Sequence, residues 1–385
     1  MEPHSVVIIG PAAPFRGGIS HYNVKLFDAL KKLKGNSFYF SFKRMYPKFL
    51  YPGKTDKDIS KNKFIIPEVN YTIDSLNPFS WIFTAFKIIN LKPSVVVFNW
   101  WTAFWSLTYL TIIILLKLFL KEVKIIFICH NVYDHERNFI KDFLTNIVLK
   151  RVDGFIVHSS VEKEVLEYMF PLKKVHFCKM PLFDVFDDIK ENASRLRKEF
   201  NISSDAKLIL FFGFIRPYKG LDTLFKAIFI LKEKIPKIKL LVIGEFMYDL
   251  YSKYVKLRKK MNLNSHILLF NKYVPNEEVG KYFKMSDVLV LPYNKATGSA
   301  IVSIAYHFNL PVIATNVGSF PEIIIDGKTG YLVNPGDSQM LAQKIFEYFI
   351  KNKKNEFQKN IEIYKKEFSW NNVVEKILSF IPKEN

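Results

Sequence analysis

The fold is decided by residues 95–130, VVVFNWWTAFWSLTYLTIIILLKLFLKEVKIIFICH. Two short apolar runs, at 95–98 and 123–129, flank a long apolar segment at 100–120. The length of this segment approaches the roughly 20 residues of a membrane-spanning helix. Its position between two strands is that of a crossover helix in an α/β domain. We therefore expect a packed or interfacial helix here rather than a membrane span.

The same alternation of short strands and helices extends outward in both directions. It begins with SVVIIG at 5–10, a Gly/Pro loop and a helix at 20–34. Short β-branched runs between helices predict a parallel sheet with helices on both faces. The periodicity stops at 180–188, MPLFDVFDD, which we interpret as a linker. Beyond it, a second series of strands is predicted at 207–213, 239–244, 266–270, 287–292 and 311–315.

These patterns predict an α/β chain of two Rossmann-like, doubly wound domains that face a central cleft. The N-terminal domain is expected at 1–185 and the C-terminal domain at 190–367, with a helix at 368–385 that packs back on the N-terminal domain. A chain of 385 residues suits two domains. Its 49% of hydrophobic residues exclude a disordered or collagen-like protein. Site residues are expected in the loops after the strands, where open α/β sheets bind ligands.

Composition limits the compartment and the partners. Two cysteines, Cys129 and Cys178, exclude a disulfide framework and a thiolate zinc site. Residues 1–4 lack the basic start of a signal peptide, so we expect a cytoplasmic protein. The formal charge of +20 attracts anionic partners such as acidic lipids and nucleotide phosphates. Because this charge is spread along the chain and Arg is scarce, no nucleic-acid partner is expected.

The loop after the strand at 37–42 supports a hypothesis of peripheral contact with an anionic membrane at the inner face of the cell membrane. It mixes basic and aromatic side chains, a composition that suits a bilayer interface. An ordinary solvated loop explains it nearly as well. The basic residues are Lys43, Arg44, Lys48 and Lys54, and the aromatic residues are Tyr46, Phe49 and Tyr51.

Two loops of the N-terminal half carry candidate site residues. In GPAAPFRGGIS (10–20), Gly17 and Gly18 would let backbone amides approach a phosphate or sugar, although such a turn is often only structural. The loop is neither GxGxxG nor a Walker loop, which argues against NAD binding and a P-loop ATPase. In CHNVYDHE (129–136), His130 and Asn131 follow a strand, where His130 would bind a sugar hydroxyl or brace the loop.

A metal site in that second loop would need His130, Asp134, His135 and Glu136 to converge. The loop lacks the HExxH spacing of a helical zinc site. We therefore expect no metal ligands in this chain.

Two further loops lie in the C-terminal half. In FIRPYKGLDTLFKA (214–227), Arg216 and Lys219 precede a helix and predict a binding site for a diphosphate, with a solvated basic loop as the alternative. Residues 297–299 precede an apolar helix, and their amides and hydroxyls would bind phosphate or sugar oxygens, unless Ser299 only caps the helix. Glu322 follows the strand at 311–315 as either a helix-end charge or a ligand contact. The candidates at 297–299 are Thr297, Gly298 and Ser299.

Several of these segments together resemble the retaining glycosyltransferases of family 4, which have the GT-B fold. The segments are RGGIS, CHN, FGFIRPYKGLDTLFKA, LVIGE, YVPNEEVGKYFKMSDVLVLP and PVIATNVGSFPEIIIDGKTGYLV. The resemblance implies a retaining hexosyltransferase that uses a nucleotide-sugar donor, a glycan or lipid-linked acceptor and no cofactor, in cell-envelope polysaccharide or glycolipid synthesis. It also implies that Arg216 and Lys219 hold the donor diphosphate, that His130 approaches the donor sugar, and that Gly17–Gly18 border the donor and acceptor.

The sequence departs from that family at two positions. The family usually carries two glutamates eight positions apart before PVIAT, and those places are taken here by Ala296 and Ile304. The resemblance then implies that ribose recognition by the second carboxylate is lost, and that Thr297, Ser299 or backbone amides contact the donor sugar. A non-catalytic GT-B partner protein, a phosphorylase or a sugar-nucleotide epimerase remain alternatives.

Overall fold

The chain forms two compact units. The computed structural model describes residues 5–34, 36–47, 55–61, 64–134, 138–186, 190–298 and 300–382. The first unit consists of the chain up to Asp58, the stretch that ends at Pro181, and the segment that begins at Ser369. The second unit consists of Leu182–Phe368 and a short segment that begins at Ile59. Each unit has its own parallel sheet.

The sheet of the first unit has seven parallel strands in the order β3-β2-β1-β4-β5-β6-β7. The central strands are short β-branched or aromatic runs whose side chains are buried on both faces, as helices on both sides require. The strands are β1 (Val6–Ile9), β2 (Ser37–Arg44), β3 (Val69–Asp74), β4 (Val95–Trp100), β5 (Lys124–Cys129), β6 (Gly154–Val157) and β7 (Lys174–Phe177).

In the described part of the first unit, five helices connect these strands. One of them lies within the apolar segment at 100–120 and shows whether that segment is long enough to span a membrane. Trp100 ends β4, and a short 3-10 turn at Ala103–Trp105 follows before the helix starts. The helix α3 therefore has 14 residues and is about 21 Å long, shorter than the ~30 Å of a bilayer core. The helices are α1 (Gly18–Lys34), α2 (Pro78–Leu91), α3 (Ser106–Phe119), α4 (Phe139–Leu149) and α5 (Ser160–Met169). Across the described part of the chain, none of the helices combines the length and the apolar character that a membrane span requires.

The sheet of the second unit has six parallel strands in the order β10-β9-β8-β11-β12-β13. They are β8 (Lys207–Phe212), β9 (Ile238–Gly244), β10 (Ile267–Asn271), β11 (Val288–Leu291), β12 (Val312–Thr315) and β13 (Gly330–Val333). The helices are α6 (Ala193–Lys198), α7 (Leu221–Leu231), α8 (Leu250–Lys260), α9 (Asn276–Met285), α10 (Ala300–His307), α11 (Phe320–Ile323), α12 (Ser338–Ile350) and α13 (Lys354–Tyr364). The prediction of an α/β chain with two Rossmann-like, doubly wound domains is confirmed.

The helix α14 (Trp370–Leu378) belongs to the first unit although the second unit precedes it in sequence. It packs on α1 and β4 through a buried apolar stripe that includes Val373 and Ile377. The rings of Trp370 and Tyr22 on α1 lie 4.9 Å apart. Beyond the helix, Phe380 lies so close to Gly154 that a Cβ at that glycine would stand 2.2 Å from the Phe380 ring.

Candidate functional site

Three loops meet at the carboxyl edge of the second sheet. They follow β8, β11 and β12, which are neighbours in the sheet. The backbone N–H of Asn294 donates to the carbonyl of Tyr218 (2.7 Å), which joins the first two loops. The N–H of Ser319 donates to the carbonyl of Thr297 (3.0 Å), which joins the last two. The predicted site residues of this unit therefore lie on one set of connected loops.

Glycines at the contact points allow these loops to approach closely. Gly220 has φ +67° and starts α7, and a Cβ there would stand 1.9 Å from the carbonyl oxygen of Pro292. Gly318 has φ +54°, and its Cβ would stand 2.3 Å from the carbonyl oxygen of Ala296. Any side chain at either position would both strain the backbone and push two loops apart.

The Arg216–Lys219 pair lies on the first of these loops. Arg216 is half-buried, and Lys219, at the end of a 3-10 turn, is only 8% exposed. Burial, together with the nearby charge of Arg216, lowers the pKa of Lys219 to about 7. Within the described residues, no carboxylate forms an ion pair with either cation. Two uncompensated cations beside the start of α7 provide strong attraction for an anionic group.

Two residues that sequence reasoning missed help to define the surroundings of Lys219. Its Nζ lies 5.2 Å from the centre of the Tyr293 ring, within cation–π range. Gly213 has φ +98° and lies next to the ammonium, since a Cβ there would be in van der Waals contact with Nζ at 3.6 Å. The sequence contains features that could have identified both residues, because Gly213 ends the apolar run of β8 and Tyr293 directly follows the LVLP of β11.

The second and third loops carry the other predicted residues of this unit. Thr297 and Gly298 are half-buried and lie just before the eight-residue helix α10. Ser299 lies outside the described residues. Glu322 is half-buried in α11, its N–H donates to the carbonyl of Ser319 (3.1 Å), and its own carbonyl accepts from the Tyr364 hydroxyl (3.2 Å).

The two positions that depart from the resembling family are both apolar in their surroundings. Ile304 is buried in α10, where its side chain belongs to the core. Ala296 is half-buried, and its carbonyl faces Gly318. Neither position offers a carboxylate to a ligand.

His130 lies at the carboxyl edge of the first sheet, beside residues of β1, β4 and α1. Its Nε2 is 2.9 Å from the Asn99 side-chain oxygen, so this nitrogen carries the proton and donates it. Asn99 was not among the predicted residues. Asn99 is a buried polar residue near the end of β4, and the backbone of Gly10 passes close to it. The Tyr22 ring of α1 meets the His130 ring edge-on at 4.9 Å.

A second buried histidine lies behind this group. His158 Nδ1 is 2.7 Å from the Cys178 carbonyl and donates to it, so Nε2 accepts from the Tyr22 hydroxyl (3.0 Å). Burial, with His158 nearby, lowers the pKa of His130 to about 3. Burial lowers the pKa of His158 to about 4, although its hydrogen bond to the Cys178 carbonyl opposes the shift. Both rings are therefore neutral at pH 7.

We expect nuclear magnetic resonance of the labelled imidazole rings to show no protonation of His130 or His158 between about pH 5 and about pH 8. The pattern should identify a proton on Nε2 of His130 and on Nδ1 of His158. His266, which bonds one backbone carbonyl through Nδ1, is an internal comparison. A titration of His130 within that pH range would contradict the neutral hydrogen-bonding role.

The remaining predicted residues of the first unit lie on the loop that leads into α1 and in the segment that follows His130. Gly17 has φ +116° with open space where a Cβ would stand, and Gly18 is the exposed first residue of α1. Asn131 is half-buried directly after His130. Asp134 is engaged in folding contacts: it accepts from the Ala103 N–H (3.0 Å) and pairs with Lys141 (3.2 Å). His135 and Glu136, the other residues of the metal hypothesis, lie outside the described residues.

Comparison with known proteins adds three findings. Residues 192–368 match the family model described as glycosyl transferases group 1. The N-acetyl-alpha-D-glucosaminyl L-malate synthase of Bacillus anthracis is 23% identical over 207 residues, which cover 53% of each chain. The chain thus spans about half the length of this curated relative, and 34% of a D-inositol 3-phosphate glycosyltransferase from Streptomyces avermitilis.

Solved structures of other proteins align with nearly the whole chain. A glycosyltransferase from Rickettsia africae matches with a TM-score of 0.73 at 19% identity and covers 100% of both chains. The Anabaena protein HepE in complex with UDP and glucose matches with a TM-score of 0.73 at 15% identity, covering 98% of this chain and 99% of the other. The likeness shows that the chain has the α/β GT-B fold.

Proposed function

We propose that the protein is a glycosyltransferase that moves a sugar from a nucleotide-sugar donor to a glycan or lipid-linked acceptor in cell-envelope polysaccharide or glycolipid synthesis. One observation carries this proposal: the buried Lys219 lies beside Arg216 with no carboxylate partner among the described residues. Keeping a buried lysine charged costs free energy that an anionic ligand would offset. A diphosphate is such a ligand, and the family match of residues 192–368 supports the assignment.

The chemistry follows from where negative charge develops. In the transfer, the bond between the anomeric carbon and the β-phosphate oxygen breaks, and its electron pair moves to that oxygen. The acceptor hydroxyl oxygen bonds to the anomeric carbon, and the hydroxyl proton is released. The leaving diphosphate gains charge during this step, so Arg216, Lys219 and the amides at the start of α7 stabilise the transition state more than the bound donor.

The proposed reaction needs no cofactor, with the nucleotide sugar as co-substrate, because the two cations supply the charge stabilisation for the leaving group. Retention of the anomeric configuration is part of the proposal and rests on the resemblance to family 4.

His130, neutral at pH 7, would hydrogen-bond the donor sugar without adding charge, and Gly17, Gly18 and Asn131 would border the sugar and acceptor. The Thr297 hydroxyl and the amides of Thr297 and Gly298 would replace the carboxylate contact that Ala296 cannot make.

A thermal-shift panel tests the donor site. UDP, GDP, ADP and CDP and their sugars are added to the wild type and to the R216A/K219A variant, since a ligand that binds only the folded state raises the melting temperature. We expect one nucleotide to stabilise the wild type and to lose that effect in the variant. Stabilisation of both proteins alike would contradict a diphosphate site at Arg216 and Lys219.

Product analysis then separates the proposed enzyme from its alternatives. With the binding nucleotide sugar and a panel of glycan and lipid-linked acceptors, we expect release of the nucleoside diphosphate and a glycosylated product. Binding without turnover on any acceptor would favour a non-catalytic partner, which the apolar residues at 296 and 304 make a specific alternative. A sugar phosphate formed only when inorganic phosphate is present would identify a phosphorylase.

A further inference from the structure

The outer surface of helices α2, α3 and α4 in the first unit is unusually apolar. These helices are neighbours, since α3 contacts both α2 and α4. We call their solvent-facing side the α2–α4 face. Its large exposed apolar side chains include Phe79, Phe83, Phe86, Leu118, Phe119 and Phe139. Scattered apolar residues are normal on a protein surface, whereas a continuous apolar patch marks an interaction site.

The helix α2 shows the pattern most clearly. Its inner side buries Trp81, Ala85 and Ile88 against the core, as a surface helix should. Its outer side should then be polar, yet it carries Phe79, which is 80% exposed, and further phenylalanines at spacings of four and three. These spacings place the exposed rings on one stripe of the helix. The helix is therefore apolar on both sides.

The stripe continues across the neighbouring helices. The ring of Phe86 lies 5.4 Å from that of Phe119 at the end of α3. On α4, the rings of Phe139 and Phe143 stack at 6.4 Å, and Phe139 is 85% exposed. The helix α4 also contacts the 3-10 turn at Ala103–Trp105, which leads into α3. The exposed rings of α2 and α3 thus form one stripe, and α4 adds further exposed rings on the neighbouring helix.

Basic residues predominate in the sequence that contains α2 and α3. Residues 78–124, all of them described, contain a single acid, Glu122, against Lys87, Lys92, Lys117, Lys121 and Lys124. The Nζ of Lys87 lies 5.1 Å from the centre of the Phe83 ring, so a cation stands directly beside the stripe. Nearby carboxylates are largely paired: Asp153 with Lys117 (3.0 Å) and Asp134 with Lys141 (3.2 Å). Asp142, in the first turn of α4, is the other acid of this region.

We propose that the α2–α4 face binds the surface of an anionic lipid bilayer. Phenylalanine and leucine on one side of a helix, with lysines at its edge, are the composition of helices that lie in a membrane interface. Interfaces with other proteins are depleted in lysine and favour arginine, which residues 78–124 lack. The apolar rings would enter the boundary between headgroups and acyl chains while the lysine ammonium groups stay at the lipid phosphates.

This surface differs from the loop in which the sequence predicted a membrane contact. In the described part of that loop, Arg44 pairs with Asp74 through two hydrogen bonds of 2.9 and 2.7 Å. Tyr46 packs against Phe104 and Trp105. Arg44 and Tyr46 thus make contacts within the fold, Lys43 is exposed to solvent, and the membrane contact of this loop stays a prediction. Lys48, Phe49, Tyr51 and Lys54 lie outside the described residues.

Vesicle sedimentation tests the proposal. The wild type is mixed with vesicles of phosphatidylcholine alone or of equal parts phosphatidylcholine and phosphatidylglycerol, at low and high salt. We compare the F79Q/F83Q/F139Q variant with a control, F229Q/I350Q/I363Q, in which exposed apolar residues of the second unit change in the same way. Because all these side chains are exposed, the variants should keep the wild-type melting temperature.

We expect the wild type and the control to bind the anionic vesicles, and the face variant to bind about a hundredfold more weakly. K87Q/K121Q should weaken binding to anionic vesicles by about tenfold, while K259Q/K260Q should not. Equal binding of the face variant and the control would overturn the proposal. So would failure of the wild type to bind either vesicle, or a wild-type dimer in light scattering that the face variant converts to a monomer.

Discussion

Replacement of Lys219 by methionine should strongly weaken nucleotide binding and, at the same time, stabilise the ligand-free protein. Methionine fills a similar space without a charge that burial makes costly, so at pH 7 we expect the free energy of unfolding to rise by on the order of 2 kcal/mol. Turnover should fall by roughly 10²–10³-fold, as when one preorganised donor to a developing anion is removed. Thermal denaturation and product assays measure the two effects on the same preparation.

The lowered pKa of Lys219 determines how the stability difference between the wild type and K219M changes with pH. The pKa of Lys219 is about 7 in the folded ligand-free protein, against 10.5 for a lysine in the unfolded chain. Between these two values the unfolded chain binds more protons, so the wild type gains stability as the pH rises. The advantage of K219M should be largest below pH 7 and should vanish near pH 10.5. The bound diphosphate favours the charged lysine, so the dissociation constant for nucleotide should increase as the pH rises above about 7.

Lys226 offers the matched control, because it is a solvent-exposed lysine on α7, the helix that follows Lys219. K226M should leave both the melting temperature and turnover near their wild-type values. A K219M variant that melts several degrees below the wild type, or that still binds nucleotide with wild-type affinity, would show that Lys219 is not a strained cation poised for an anion.

Replacement of Gly220 by alanine should be far more damaging than the same change at Gly327. Both glycines have nearly the same backbone conformation, with φ +67° and +71°. At Gly327 nothing lies within 4 Å of the new Cβ, so the cost is the left-handed conformation alone, about 1 kcal/mol. At Gly220 the Cβ would stand 1.9 Å from the Pro292 carbonyl oxygen, and we expect a loss of about 3 kcal/mol or more.

Urea denaturation of both variants measures this difference directly. G220A should also weaken nucleotide binding, because the backbone shift that relieves the clash moves the turn that carries Lys219. G327A should bind nucleotide like the wild type. Equal losses of stability in the two variants would mean that the contact between the loops after β8 and β11 is not required.

The sequence predicted the sheets well in their centres and less well at their edges. Strands such as β1, β4 and β8 are continuous apolar runs because helices cover both faces, and such runs are easy to detect. The strands β3, β7 and β13 were not predicted, and all three lie at a sheet edge. Two of them, VNYTID and KVHF, mix polar and apolar residues, since one side of an edge strand has no neighbouring strand, whereas GYLV is too short a run to be recognised by itself.

The site was predictable in its residue types and not in its physical state. Cations after β8 and a histidine after β5 can be read from the spacing of strand and loop. Lys219 is buried beside Tyr293, and His130 lies among Asn99, His158 and the ring of Tyr22, all of them distant in sequence from the residue they surround. The exposure of the phenylalanines on the outer side of α2 likewise depends on tertiary structure and was not predicted from the sequence.

The position of α14 has a consequence for the order in which the chain is completed on the ribosome. The first unit takes this helix from beyond Phe368, after the whole second unit has been synthesised. Until then the Tyr22 ring and the surface of α1 that α14 covers remain open in the nascent chain. The first unit is therefore completed only after the second unit has been synthesised, and during that interval it exposes apolar surface that the finished fold covers.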